Sequence, residues 1–157
     1  MLFPERLHVS RSLRKRLRQA CYTVTFNHAF DQVVQACAET PRHGQHGTWI
    51  TPAMQVAYNR LHHLGHAHSV ECWADGTLVG GLYGLAIGRV FFGESMFAHA
   101  SDASKVAFVH LVERLRREGY RLIDCQVETD HLRSLGAEPI PRRSFVQLLE
   151  RECGGAT

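Results

Sequence analysis

The stretch HSVECWADGTLVGGLYGLAIGRVFFGESMF, residues 68–97, decides the fold. Its apolar, β-branched and aromatic residues do not recur at helical spacing, and two turn signals divide it, Asp75-Gly76 and Gly88. The pattern predicts three antiparallel strands, 68–74, 78–87 and 89–97, joined by tight turns. Within the third strand, Gly93 would permit a bulge or the close approach of another backbone. Glu94 interrupts an otherwise apolar run.

Downstream, residues 98–104 read as a polar loop, and Ser101 or Asp102 caps a helix that runs to about Glu118. Val106, Val109, Val112 and Leu115 form its apolar stripe, and Gly119 ends it. Residues 120–127 form a strand, placed centrally because Leu122, Ile123 and Val127 are all apolar. A short helix near 130–135, a bend at Gly136, a further strand and a helix opened by Pro141 close the chain. Upstream, Ser10 caps a basic helix over 11–18 with Leu13 and Leu17 turned inward. Residues 22–26 form a strand. Asn27 caps a helix bearing Phe30, Val33, Val34 and Cys37, and residues 39–48 form a loop. Thr51-Pro52 starts a helix with Met54, Tyr58 and Leu61 that stops at Gly65. Three antiparallel strands, a crossover helix and a strand beside the third make an α+β chain, a mixed sheet flanked by helices. That layout is similar to the N-acetyltransferase (GNAT) superfold.

At 157 residues, 45% of them hydrophobic and 21% charged, the chain reads as a single domain rather than a disordered or fibrous one. Residues 1–20 are a basic lead-in, 21–150 the core and 151–157 a flexible tail. No apolar run reaches the roughly 20 residues of a spanning helix, and no secretory signal is visible. Cys21, Cys37, Cys72, Cys125 and Cys153 are scattered and odd in number, which points to a reducing, cytoplasmic setting. The net charge of +3 is uneven. Arg6, Arg11, Arg14, Lys15, Arg16 and Arg18 face only Glu5 in the first 20 residues, leaving the remainder slightly acidic. Arginine suits forked contacts to phosphate, so this cluster is either a polyanion dock or a solvated helix face.

The segment Leu122-Ile123-Asp124-Cys125-Gln126 sets a carboxylate in an apolar strand. Asp124 and Gln126 share a face, and Cys125 points to the other. Such an acid either lines a cleft or is neutralised locally, at the strand end or by an arginine such as Arg89. Glu94 and Asp124 on neighbouring strands would form a negative pocket suited to a small cation or an amine. Phe91 and Phe97 taken alone read as core. His62, His63, His66 and His68 do not share one face and lack an HExxH pattern, so they read as solvated or core histidines rather than metal ligands. Gly80, Gly81 and Gly84 lie within a strand, and residues 98–105 contain no glycine. The glycine-rich turn that would cradle a pyrophosphate at the helix start is therefore missing.

Several strings, collinear over essentially the whole chain, carry a more specific resemblance: HVSRS (8–12), GTWITPAM (47–54), AYNRLHHLGHAHSVECW (57–73), LVGGLYGLAIGRVFFGESMF (78–97), DASKVA (102–107), LIDCQ (122–126), LGA (135–137) and IPRR (140–143). Together they resemble the leucyl/phenylalanyl-tRNA–protein transferase family. The resemblance implies transfer of leucine or phenylalanine from its charged tRNA to proteins beginning with Arg or Lys, which creates a degradation signal. It implies Asp124 and Gln126 as the catalytic pair, Glu94 near the acceptor, and Trp49 and Tyr58 near the terminal adenosine. Leu82, Phe91, Met96, Phe108 and Ile123 are expected to form the pocket for the aminoacyl side chain. Arg11, Arg14, Lys15, Arg16 and Arg18 are expected to contact the tRNA acceptor stem. No metal or organic cofactor is expected, because the donor ester supplies the driving force. Family members usually begin with a smaller amino-terminal domain. The start MLFPERLHVSRS leads to the expectation that this domain is absent and one side of the pocket exposed. A CoA-dependent N-acetyltransferase and a non-catalytic binder of tRNA ends or basic amino termini are the alternatives.

Overall fold

The computed structural model describes residues 1–19, 21–40, 50–125, 130–138 and 142–154. Its helices are α1 (Arg11–Gln19), α2 (Phe30–Glu39), α3 (Pro52–His63), α4 (Ala103–Arg117), α5 (Asp130–Ser134) and α6 (Arg142–Gly154). Its strands are β1 (Thr23–Phe26), β2 (Ala67–Ala74), β3 (Thr77–Ile87), β4 (Val90–Ala98) and β5 (Leu122–Asp124). They form one sheet in the order β1-β2-β3-β4-β5, antiparallel except for the β4–β5 pair, which is parallel. The hairpin from β2 to β3 forms because Asp75 and Gly76 both adopt positive φ, 49° and 79°, matching the twist of the strands they join.

Helices cover both faces. On one, Phe30, Val33, Val34 and Cys37 of α2 pack with Tyr83 and Phe97, and Tyr58 and Leu61 of α3 adjoin them. On the other, Leu13 of α1 and the α4 stripe of Val106, Val109, Val112 and Leu115 pack on Val70, Leu82, Phe91 and Ile123. A bulge in β4 divides its side chains between these layers. Tyr83 pairs with Ser95 but Gly84 pairs with Gly93, so Glu94 is the extra residue. Because one residue is inserted, Phe91 and Met96 share the α4 face although they stand an odd number apart, and Phe97 turns to the α2 face.

Four expectations are corrected. Asn27 does not cap α2. At φ 57° its N–H donates to Ser69 O at 2.9 Å and its Oδ1 accepts from Ser69 N–H at 3.0 Å, so it ties β1 to β2, and α2 begins at Phe30 without a side-chain cap. Asp102 takes the N-cap position of α4, but its carboxylate accepts from Arg16 Nε at 3.0 Å instead of capping. Among the described residues β5 is the last strand of the sheet rather than a central one. Its apolar residues are explained by an antiparallel bridge from Leu2 to Ile123, which covers the outer edge. Residues 151–154 belong to α6, not to a tail: Arg89 N–H donates to Glu152 O at 3.0 Å. No further strand is seen between α5 and α6 among the described residues. Pro141 and the extension of β5 to Val127 lie outside the described residues.

Candidate active site

Thr51 Oγ1 accepts from Met54 N–H at 3.2 Å and Pro52 occupies the first helical position, so α3 starts as the sequence predicts. The helix carries Tyr58 over the sheet, where its ring meets Tyr83 edge to face at 5.1 Å. Tyr83 meets Phe30 in the same manner at 5.9 Å, and Phe30 stacks on His62 at 4.3 Å. This row of rings sets the height of Tyr58, whose hydroxyl donates to Glu94 Oε2 at 3.1 Å. His62 is thereby half-buried against Phe30, its Nδ1 2.9 Å from Ala67 O. Among the described residues no cluster of three metal-ligating side chains occurs.

Asp124 ends β5 opposite Phe92, and the parallel register puts it on the α3 face of the sheet with Phe92 and Glu94. Both acids are half-buried. Burial, chiefly, and the nearby Asp124 charge push the Glu94 carboxyl above its ordinary range, while the Tyr58 hydrogen bond pulls it back. Burial, then the Glu94 charge and hydrogen bond, push Tyr58 up to about 12, so the phenol stays a donor at neutral pH. A carboxylate pair held this way attracts a cation or an amine.

The structure divides the remaining candidate residues. Leu82, Phe91, Phe108 and Ile123 are buried, and Met96 half-buried, in one cluster on the α4 face, the opposite side of the sheet from Tyr58 and Glu94. Among the described residues the β4–β5 pairing runs from Val90↔Leu122 to Phe92↔Asp124, and β4 continues to Ala98. Arg11, Arg14, Lys15 and Arg18 are exposed on α1, whereas Arg16 is paired with Asp102. Trp49 and Gln126 lie outside the described residues.

One residue passed unnoticed in the sequence. Glu71 of β2 is fully buried and accepts from Thr25 Oγ1 at 2.7 Å, from His28 N–H at 3.0 Å and from the Ser69 hydroxyl. Thr25 in turn accepts from Trp73 Nε1 at 2.8 Å. The only available signal was an acid at an inward position of a buried strand, flanked by Ser69 and opposite Thr25.

The profile of the leucyl/phenylalanyl-tRNA protein transferase family matches residues 1–150. A leucyl/phenylalanyl-tRNA–protein transferase of Chromohalobacter salexigens is 63% identical over 151 residues, covering 96% of this chain and 59% of that protein. One of Pseudomonas aeruginosa is 61% identical, covering 96% and 66%. The chain thus spans about 60% of the length of such relatives. Among solved structures, an aminoglycoside acetyltransferase, meta-AAC0020, from an uncultured soil metagenomic sample superposes with a TM-score of 0.58. The two are 10% identical, and 78% of this chain and 93% of that one are covered. The fold is accordingly that of the N-acetyltransferases, as the strand order suggested. By the extent of the profile match, the chain belongs to the leucyl/phenylalanyl-tRNA protein transferase family.

Proposed function

We propose that this chain carries the acyl-transfer centre of an aminoacyl-tRNA-dependent transferase. Leucine or phenylalanine passes from the ester at the tRNA 3′ end to the α-amino group of a protein beginning with Arg or Lys. The observation that carries the proposal is the acidic pair Glu94 and Asp124 on neighbouring strands, on the same face of the sheet as Tyr58, whose hydroxyl donates to Glu94. Glu94 meets the cationic first residue of the acceptor. Asp124 orients its amine and takes up the amine's proton, with Gln126 positioning the same group. The neutral nitrogen attacks the ester carbonyl, the carbon–oxygen bond to the ribose breaks, and the ribose oxygen leaves as a hydroxyl after gaining a proton. Most of the acceleration then comes from alignment, since the ester is already activated.

The aminoacyl side chain is received by Leu82, Phe91, Met96, Phe108 and Ile123. Met96, flexible and half-buried, suits a site that admits two side-chain shapes. Trp49 stacks on the terminal adenine, a contact worth roughly 1–3 kcal/mol, and Arg11, Arg14, Lys15 and Arg18 meet backbone phosphates. Use of charged tRNA places the reaction in the cytoplasm. Coenzyme A is the less suited donor. The Asp102 carboxylate sits at the start of α4, where a pyrophosphate would need an anion-binding helix terminus.

The test mixes the purified protein with leucyl- or phenylalanyl-tRNA and a peptide beginning with Arg. A peptide product one residue longer, lost in Asp124→Ala, is the expected result. Acetylated peptide from acetyl-CoA, or tRNA binding without product, would overturn the proposal.

A further inference from the structure

Between the C-terminal half of α4 and the sheet, where β1 ends and β2 begins, lies a cleft of about 450 Å³, open at its mouth. Its wall is apolar: Val70 and Phe91 of the sheet face Leu111 and Leu115 of α4. The cleft is therefore on the α4 face, opposite the face that carries Tyr58 and Glu94. Its mouth is polar. Arg114 and Glu118, four residues apart at the end of α4, stand side by side there, with Arg114 Nε donating to Glu118 Oε1 at 3.1 Å. The guanidinium carbon lies 4.4 Å from the centre of the Phe26 ring, which fixes its height over the cleft.

The fold does not use up the groups at this mouth. The pair engages Arg114 through Nε and Glu118 through one carboxylate oxygen, so Glu118 Oε2 and both terminal nitrogens of Arg114 remain available. Tyr120, half-buried beside them, makes no hydrogen bond through its hydroxyl among the described residues. Burial, then the Glu118 charge, raise its phenol, which keeps its proton at neutral pH and stays a donor. His68 also lines the cleft, with its Nδ1 3.1 Å from Asn27 Nδ2, and burial, chiefly, holds it below its ordinary value. It is uncharged at neutral pH, so the charges at the mouth are one guanidinium and one carboxylate. A lone positive group would suit a simple anion, and a lone negative group an amine. Adjacent opposite charges above an apolar wall complement a molecule with carboxylate and ammonium on one carbon and an apolar side chain beyond it.

We propose that this cleft binds a free apolar α-amino acid of about the size of leucine. Its carboxylate meets Arg114 and the Tyr120 hydroxyl, its ammonium meets Glu118, and its side chain lies against Phe91, Leu111 and Leu115. The site is separate from the acidic pair and does not depend on the transfer function proposed above. It shares one residue with that reading. Phe91 also belongs to the apolar cluster assigned to the aminoacyl side chain, so a free amino acid here and a donor there touch the same ring.

The experiment is saturation-transfer NMR on the whole chain with L-leucine and two analogues, isoamylamine, which lacks the carboxylate, and isocaproate, which lacks the ammonium. L-Leucine should bind saturably with a dissociation constant on the order of 1 mM. Each analogue should bind about tenfold more weakly, because one charge-assisted contact is lost. Tyr120→Phe and Arg114→Met should each weaken leucine binding about tenfold, with Tyr120→Phe melting at the wild-type temperature. Glu94→Gln and Asp124→Asn should leave it unchanged. Absence of saturable leucine binding would overturn the site and leave the transfer function standing. So would equal binding of either analogue, or leucine binding that survives both Tyr120→Phe and Arg114→Met and is lost in Glu94→Gln.

Discussion

Replacement of Glu71 by alanine offers a stringent test of how the site is supported. The residue is fully buried, and its carboxylate is the shared acceptor for two hydroxyls, Thr25 and Ser69, and one amide, that of His28. His28 lies two residues ahead of Phe30, whose ring holds Tyr83, which in turn holds Tyr58 above Glu94. Truncation strands three donors, the buried Ser69 hydroxyl and the part-buried Thr25 hydroxyl and His28 amide, each worth about 1–3 kcal/mol without a partner and least where water reaches. Neighbouring losses do not add in full, so the total is about 3–5 kcal/mol. For a chain of this size each kcal/mol lowers the melting temperature by about 2–4 °C, giving a drop on the order of 10 °C. Glu71→Gln should cost far less. Its oxygen can keep Thr25 and His28, and the Ser69 hydroxyl can turn to accept from the new amide. Thermal unfolding followed by circular dichroism at neutral pH reads both. An alanine variant melting within about 3 °C of wild type, or a glutamine variant falling as far as alanine, would refute the bracing argument.

Because burial and Asp124 raise the Glu94 carboxyl, binding of a peptide beginning with Arg should weaken as pH falls through that raised value. Glu94→Gln should bind less at pH 7 and lose that part of the dependence; fluorescence titration across pH 4–8 checks it. The same elevation means that folded Glu94 holds its proton more tightly than the unfolded chain does. Its contribution to stability therefore grows as pH falls toward the unfolded value, and denaturant unfolding of Glu94→Gln should show a shallower gain on acidification. On α1, Arg14→Ala with Lys15→Ala should reduce the salt slope of charged-tRNA binding by about 2, one for each lost phosphate contact. Arg16→Ala should leave that slope unchanged and instead cost under about 1 kcal/mol of stability, since its guanidinium is committed to Asp102. Equal slope changes in the two variants would reject the division between them.

Local chemistry made much of the fold legible. The Thr51-Pro52 start, the Asp75-Gly76 turn and the α4 stripe each depend on interactions within a few residues, and each is found where the pattern puts it. The errors share a different cause. Asn27 and Asp102 are good capping residues by type, yet their side chains are claimed by Ser69 and Arg16, partners 42 and 86 positions away. β5 reads as central because its residues are apolar, but apolarity reports only that it is covered. The cover comes from Leu2, more than a hundred residues earlier in the chain. Glu71 was missed for the same reason: an inward acid becomes intelligible only once Thr25, His28 and Ser69 are seen converging on it. The candidate site was legible as residue types, the acids Glu94 and Asp124 and the apolar set around Phe91. Their division between opposite faces of the sheet was not.

That division follows from a single residue. In a regular strand Phe91 and Met96 would point oppositely, and Phe97 would join Phe91 on the α4 face. With Glu94 counted as an insertion opposite β3, Met96 instead joins Phe91, and Phe97 packs with Tyr83 against α2. The residue that corrects the alternation is also the one that receives the Tyr58 hydroxyl, so the bulge both aims an acid and assigns Met96 to the apolar cluster. An acceptor amine and a donor side chain have opposite chemical demands, charge on one hand and apolar enclosure on the other. On the proposed function, a sheet one backbone thick keeps those demands apart, with the acids on the α3 face and the apolar set on the α4 face.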